Sequence, residues 1–273
     1  KTLEHQLGVK LFVRHSRGLS LTEEAKQGLP QLAQGFNDLI QGVELIRSAH
    51  IEPNLIIWMA PSFASKWFVP RLNRFADKHP DIDLNISASP NLVDSSAPRK
   101  SIPVENFRRD NVDIAIRFGK GDYPGCRVDK LFSVSAIPLC SPQLMNGDHP
   151  LRTPEDLRFH TLLHDDTLYE GRPDWPTWLE AAKVSDIDGD RGLHFNHGNL
   201  AINSAVDGQG VVLSMRALAS DDIAAGRLVT PFNLALPLEY AYYLITLEEL
   251  TDHPHTAAFR DWLLEEALQE DEL

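Results

Sequence analysis

One stretch constrains this chain more than any other. Leu55-Ile56-Ile57-Trp58-Met59-Ala60 is an unbroken apolar run of strand length, and Pro61-Ser62 follows at once. Helical spacing then takes over at Phe63, Trp67, Leu72 and Phe75, and strict alternation returns at Ile82, Leu84, Ile86 and Ala88. A strand buried on both faces, then a helix, then a second strand, predicts parallel pairing under a helical layer. Residues 91–103 are Ser- and Pro-rich and read as a loop. Val112-Asp113-Ile114-Ala115-Ile116 reads as a third strand, ending in Arg117-Phe118-Gly119, and 131–139 as a fourth. The fold class is therefore α/β.

The second half repeats this grammar. Thr153-Pro154-Glu155-Asp156-Leu157 is an N-capped helical turn, Leu162-Leu163-His164 a short strand and 175–183 an amphipathic helix. Leu193-His194-Phe195 is a strand, 199–207 a helix, and Gly208-Gln209-Gly210 turns into the strand Val211-Val212-Leu213-Ser214. Ser220-Asp221-Asp222 caps a short helix closed by Gly226, residues 228–232 and 240–246 are strands, and 257–268 is a final helix. Two α/β lobes with a returning chain predict a hinged two-lobe binder over 51–273. Lobe I spans about 53–132 and 238–273, and lobe II about 133–237.

The first fifty residues differ in character. Leu3, Leu7, Leu11 and Phe12 have helical spacing, with Gly8 placed to end or turn the helix. Residues 13–21 carry a polar centre between apolar flanks, which predicts a β-hairpin with Arg14, Ser16 and Arg17 towards its tip. Such a tip suits phosphate or minor-groove contact; a solvated turn is the plainer reading. Thr22 then caps a long helix through about Arg47, with Glu23 and Glu24 in its first turn. Leu29, Leu32, Phe36, Leu39, Val43 and Ile46 recur at alternating steps of three and four, a narrow heptad stripe. That stripe predicts dimerisation, against the alternative of packing on the chain's own body, and Pro30 predicts a kink or a late start.

Charge follows the same division. The chain of 273 residues has a formal net charge of -13, yet residues 1–50 sum to +1 and the remainder to -14. The acidic total thus does not argue against a DNA partner at the near-neutral end. No run approaches the ~18 apolar residues of a membrane helix, and the N-terminus lacks a signal-peptide core. With only Cys126 and Cys140, a reducing cytoplasm is the default compartment. Lys1 opens inside an amphipathic pattern, so the chain reads as one whose true start lies upstream.

Several ordered motifs resemble one family. Residues 3–14 followed by Gly18-Leu19-Ser20-Leu21-Thr22 look like the end of a LysR-type winged helix-turn-helix and its wing. Pro61-Ser62-Phe63-Ala64, His79-Pro80-Asp81-Ile82, Val112 to Gly119, Asp207-Gly208-Gln209-Gly210-Val211, Ala225-Gly226-Arg227-Leu228-Val229 and Pro231-Phe232 continue the likeness. Leu162-Leu163-His164-Asp165-Asp166 and the stretch from Trp175 to Trp178 resemble the subgroup containing the glycine-cleavage activator and the β-lactamase regulator. The resemblance implies a transcriptional regulator with a periplasmic-binding-protein-like effector domain, assembled as a homodimer or homotetramer. Residues 1–21 would be a partial winged helix-turn-helix and 22–50 the linker helix. The implied partners are double-stranded promoter DNA, a small-molecule effector and RNA polymerase, with no membrane and no cofactor.

Candidate chemistry concentrates between the lobes. Ser62, with Phe63 beside it, opens a helix directly after a strand, where backbone N–H groups favour a carboxylate or similar group; a plain cap is an equal reading. By resemblance the opposite walls are Asn196, His197, Gly198 and, on the returning strand, Tyr242. The subgroup often carries a hydroxyl side chain where this sequence has His197-Gly198. Arg117 adds charge at a strand end, or forms a structural ion pair. His164-Asp165-Asp166 and His253-Pro254-His255 lack an accompanying metal motif and read as solvated loops. Cys140, at an apolar strand end, reads as a buried inert thiol. No Gly-x-Ser-x-Gly elbow occurs, so Ser141 and Ser214 give a hydrolase no nucleophile. A free-standing solute-binding protein is the alternative function.

Overall fold

A computed structural model of the chain describes residues 2–15, 18–48, 54–94 and 104–269. It divides into two compact units, residues 1–52 and 53–273. In the first, α1 (Thr2–Leu7) stops at Gly8, whose φ of 69° few other residues tolerate. Leu11 and Phe12 therefore leave the helical pattern that their spacing suggested, and Phe12 opens β1 (Phe12–His15). β1 pairs antiparallel with β2 (Gly18–Leu21), so the hairpin forms as expected; Ser16 and Arg17 lie outside the described residues. Thr22 Oγ1 accepts from the Ala25 amide at 3.2 Å and caps α2 (Glu23–Ser48), which runs on through Pro30.

The second unit is built on one eight-stranded sheet in the order β4-β3-β5-β10-β6-β9-β7-β8. β3 (Asn54–Met59) pairs parallel with β4 (Asp83–Ala88) and β5 (Ile114–Gly119). β7 (Leu162–Asp165) pairs parallel with β8 (Leu193–Phe195) and β9 (Val211–Met215). Two longer strands join these halves: β6 (Cys126–Cys140) and β10 (Leu236–Leu247). They pair antiparallel with each other, β10 also with β5, and β6 also with β9. The sheet is therefore mixed rather than all-parallel. The β6–β10 ladder slips register between Pro237 and Ala241 and again between Tyr242 and Tyr243. Such slips are bulges that bend and twist a ladder, and they flank Tyr242.

Helices cover both halves. α3 (Pro61–Phe63) continues into a wider turn over Ala64–Phe68, a tight turn over Val69–Arg71 and then α4 (Leu72–Lys78). Pro70 has no N–H to donate, which accounts for the change of winding. Phe68 and Phe75 of this run pack on Phe259 and Trp262 of α9 (Pro254–Leu268) with ring centroids 5.0–6.0 Å apart. α5 (Val104–Arg109) precedes β5. In the other half, α6 (Trp175–Ala181) and α7 (Gly198–Val206) lie on opposite faces of the sheet. Strand alternation sorts them: Leu162, Val211 and Leu213 join Trp175 and Trp178 in one core, whereas Leu163 and Val212 join Ala201 and Ile202 in the other.

Two expected features differ. Residues 228–232 do not form a strand; Val229 makes a single bridge to Cys140. The Leu228 amide is drawn to the Asp222 carbonyl, and Pro231 has no donor to extend a ladder. Ser220-Asp221-Asp222 do open α8 (Ser220–Ala224), but Ala219 occupies the cap position. The acids reach the other half instead: Asp222 meets Lys66 at 2.9 Å, and Asp221 meets Arg71 at 3.2 Å. No helix among the described residues is long and apolar enough to cross a membrane.

Candidate functional site

Polar groups from both halves of the sheet meet where the starts of α3 and α7 approach. Ser62 Oγ accepts the Asn199 backbone N–H at 3.2 Å. Asn199 Oδ1 is buried and has no hydrogen-bond partner among the described residues. Gly198 is buried, and a Cβ there would stand 2.6 Å from Asp165 Oδ2 and 3.5 Å from Ser62 Oγ. Only a residue without a side chain lets the Asp165 carboxylate lie this close to the start of α7.

Asp165 ends β7, and its register with Phe195 of β8 turns it to the same face as Leu163 and α7. Oδ1 accepts the Thr167 N–H at 3.0 Å and the Thr167 hydroxyl at 2.5 Å. Burial pushes the carboxyl pKa upward, against the downward pull of the Thr167 bonds and of Arg172. Arg172 donates to the main-chain oxygen of Asp165 and also lies 3.5 Å from Asp166.

An aromatic wall completes the site. Tyr242 is buried on β10, with ring centroids 4.8 Å from Phe63, 4.8 Å from Phe118 and 5.5 Å from Phe132. Its hydroxyl donates only weakly, to Met215 Sδ at 3.9 Å. Burial raises its pKa well above the ordinary value, and Tyr169 and Asp165 add to that. The segment after Asp165 crosses between the halves. Tyr169 packs on Phe118 at 5.1 Å and Tyr240 at 5.4 Å, and Glu170 takes Lys120 at 3.0 Å.

The expected residues divide accordingly. Ser62, Phe63, Gly198 and Tyr242 sit in this constellation. His197 precedes α7 in extended conformation and is half-buried, while Asn196 is exposed. Arg117 stands apart from it. Strand register pairs it with Tyr243, on the face opposite Tyr242, and its guanidinium meets Asp94 at 2.6 Å beneath the Tyr123 ring. The ion-pair reading of Arg117 is the one the geometry fits. Sequence reasoning passed over Asn199 and Tyr169 and weighed Asp165 only as a metal ligand. The signal available was the strand period, which sends Asp165 to the face opposite His164.

His164 is a correction, for it is not in a solvated loop. It is buried on β7 and stacks on His194 with centroids 4.1 Å apart and planes 9° apart. Burial and the neighbouring His194 lower its pKa. Among the described residues no three His, Cys, Asp or Glu side chains converge as a metal site. Cys140 is buried in an apolar setting that pushes its thiol up to about 12. Arg14 lies on β1 opposite Leu19. Leu29, Leu32, Phe36, Leu39 and Val43 are all exposed, at 48–68%, while the side chain of Ile46 lies outside the described residues.

Two half-sheets sharing a pair of bent strands, with polar groups converging between them, define a two-lobed binding domain. The family model of the LysR substrate binding domain matches residues 49–268. The chain belongs to the LysR family of transcriptional regulators. It is 38% identical over 272 residues to the glycine cleavage system transcriptional activator of Escherichia coli K12, covering 100% of this chain and 84% of that protein. It is 33% identical over 267 residues to the HTH-type transcriptional activator AmpR of Providencia stuartii, covering 97% and 84%. The solved effector domain of AmpR from Pseudomonas aeruginosa superposes with a TM-score of 0.60 at 30% identity, covering 80% of this chain and 97% of that one.

Proposed function

We propose that this regulator senses a small molecule held between its lobes, and that binding changes how an oligomer presents its DNA-contacting parts to double-stranded promoter DNA. The observation that carries the reading is the convergence of Ser62, Asn199, Asp165 and Tyr242, contributed by both halves of the sheet. Asn199 Oδ1 is left without a partner there, a cost that a ligand would relieve. A ligand bridging both lobes favours one lobe arrangement by its differential affinity, a coupling of about 1–3 kcal/mol in known cases.

The homodimer or homotetramer would form through the α2 stripe. Its five described apolar side chains are exposed, and a narrow apolar seam suits a second copy of the same helix. The hairpin carrying Arg14, Ser16 and Arg17 would contact the DNA backbone, and RNA polymerase would be the partner met at the promoter. Family membership weighs against a free-standing solute-binding protein. In a reporter strain expressing the whole gene product, Ser62→Ala with Tyr242→Phe is expected to abolish the response to the effector while gel shifts retain the promoter. An unchanged response would overturn the reading. Leu39→Asp with Val43→Asp should lower the sedimenting mass; an unchanged mass would remove the seam.

A further inference from the structure

Resting on the proposed cleft, the hydrogen-bond ledger around Asp165 narrows the ligand's chemistry. Oδ1 is fully engaged by the two Thr167 donors. Oδ2 receives no hydrogen bond among the described residues and lies beside Gly198, where a Cβ would stand 2.6 Å from it. The nearby Asn199 Oδ1 is a buried acceptor without a donor. The site thus has an excess of acceptors, one of them ionisable. Arg172 does not relieve it, since its guanidinium goes to the Asp165 main chain and to Asp166.

We infer that the effector carries a cationic nitrogen, an ammonium or amidinium group, that docks on Asp165 Oδ2 and donates also to Asn199 Oδ1. A cation supplies both the missing donors and the missing countercharge in one group. The aromatic wall suits the same chemistry. Tyr242 and Tyr169 flank the acid, and ring faces attract cations most strongly once water is excluded. An anion in the same gap would stand against the carboxylate. Ser62, whose Oγ accepts the Asn199 N–H, keeps its hydroxyl hydrogen to donate to a second, polar end of the molecule.

The groups facing Asp165 are Tyr169 and Tyr242, from the crossing segment and β10, and Arg172 and Asp166 beside it. His164 and His194 lie on the opposite face of β7 and β8. The tyrosines are held above their ordinary range and burial raises the Asp165 carboxyl, so the charge the ligand meets there is gained as that carboxyl loses its proton; His197, next to Gly198, also borders the site.

The test uses three probes of one skeleton, n-butylammonium, 1-butanol and butyrate, at matched ionic strength. Binding to the full chain is measured by calorimetric titration, with circular dichroism as the folding control. Butylammonium should bind, more tightly as pH rises through the Asp165 carboxyl's titration. Asp165→Asn should weaken it at least tenfold and flatten the pH response. Butyrate should not compete. Butyrate or butanol binding in preference, with loss in Ser62→Ala and Tyr242→Phe, would sink the cationic assignment and leave the cleft standing. Butylammonium binding that survives Asp165→Asn, Ser62→Ala and Tyr242→Phe would place the ligand elsewhere and sink both. Silence from all three probes would count against both as well.

Discussion

Asp165 is a costly residue for the fold to carry. Burial holds its pKa above the unfolded value, so the folded state binds more protons between the two values and loses stability as pH rises through that window. Asp165→Asn keeps an oxygen for Thr167 and removes the charge. Chemical denaturation at pH 7 should find the variant at least as stable as the parent, with a shallower decline as pH rises above the ordinary carboxyl range. Lower stability throughout would mean that the carboxylate is a structural group. Gly198→Ala places a methyl 2.6 Å from Oδ2, and overpacking of this kind costs about 1–3 kcal/mol. Cys140, its thiol raised to about 12 and its side chain buried, should resist iodoacetamide in the native protein while Cys126 reacts first. Peptide mass spectrometry reads that order. At this scale the sequence was legible where a residue's neighbours in the chain decide its role. Thr22 and Gly8 are such cases. It was opaque for Arg117, whose partner Asp94 is brought to it only by the fold.

Elements were easier to read when their pattern was uniform. β3 and β9 announce themselves as apolar runs, and α2 as a heptad stripe. β6 and β10, central in the sheet, are longer than their apolar runs because their N-terminal ends alternate exposed and half-buried residues. The acidic start of α8 looked like capping, yet Asp222 is held between Lys66 and Arg227, at 2.9 and 2.7 Å. Burial alone would raise the pKa of Asp222, but its two cationic partners outweigh that and hold it low. Its contribution is therefore present above the unfolded carboxyl pKa and is lost as pH falls through the lower folded value. Asp222→Asn leaves Lys66 as a buried, half-compensated cation, and thermal unfolding at pH 7 should register a loss of about 3 kcal/mol. A change below half that figure would show the pair to be solvent-screened.

Across the whole molecule, the mixed sheet decides how the lobes behave together. The α/β class and the two-lobed plan followed from strand and helix order alone. The antiparallel joining of β6 with β10 did not, because pairing partners distant in sequence leave no local trace. With two strands shared, one core runs through both lobes, and a second, around Trp175 and Trp178, stays within lobe II on the other face of the same sheet. Trp178→Ala deletes a fully buried ring from one half and should cost about 3–5 kcal/mol. Near-ultraviolet and far-ultraviolet dichroism should still report one coincident transition for residues 53–273, and two separated transitions would contradict the shared-sheet account.

The register slips on either side of Tyr242 have a mechanical consequence. A loop linker lets two bodies swing freely, with stiffness set elsewhere. Here the lobes are joined by a hydrogen-bonded ribbon that behaves as a torsion bar, weakened at two points. Between those points lie Ala241 and Tyr242, and the Tyr242 ring is packed among Phe63, Phe118 and Phe132 while its hydroxyl has only a weak partner. A molecule held at Tyr242, as proposed, would therefore act on the ribbon where its hydrogen-bond register is broken rather than where it is continuous.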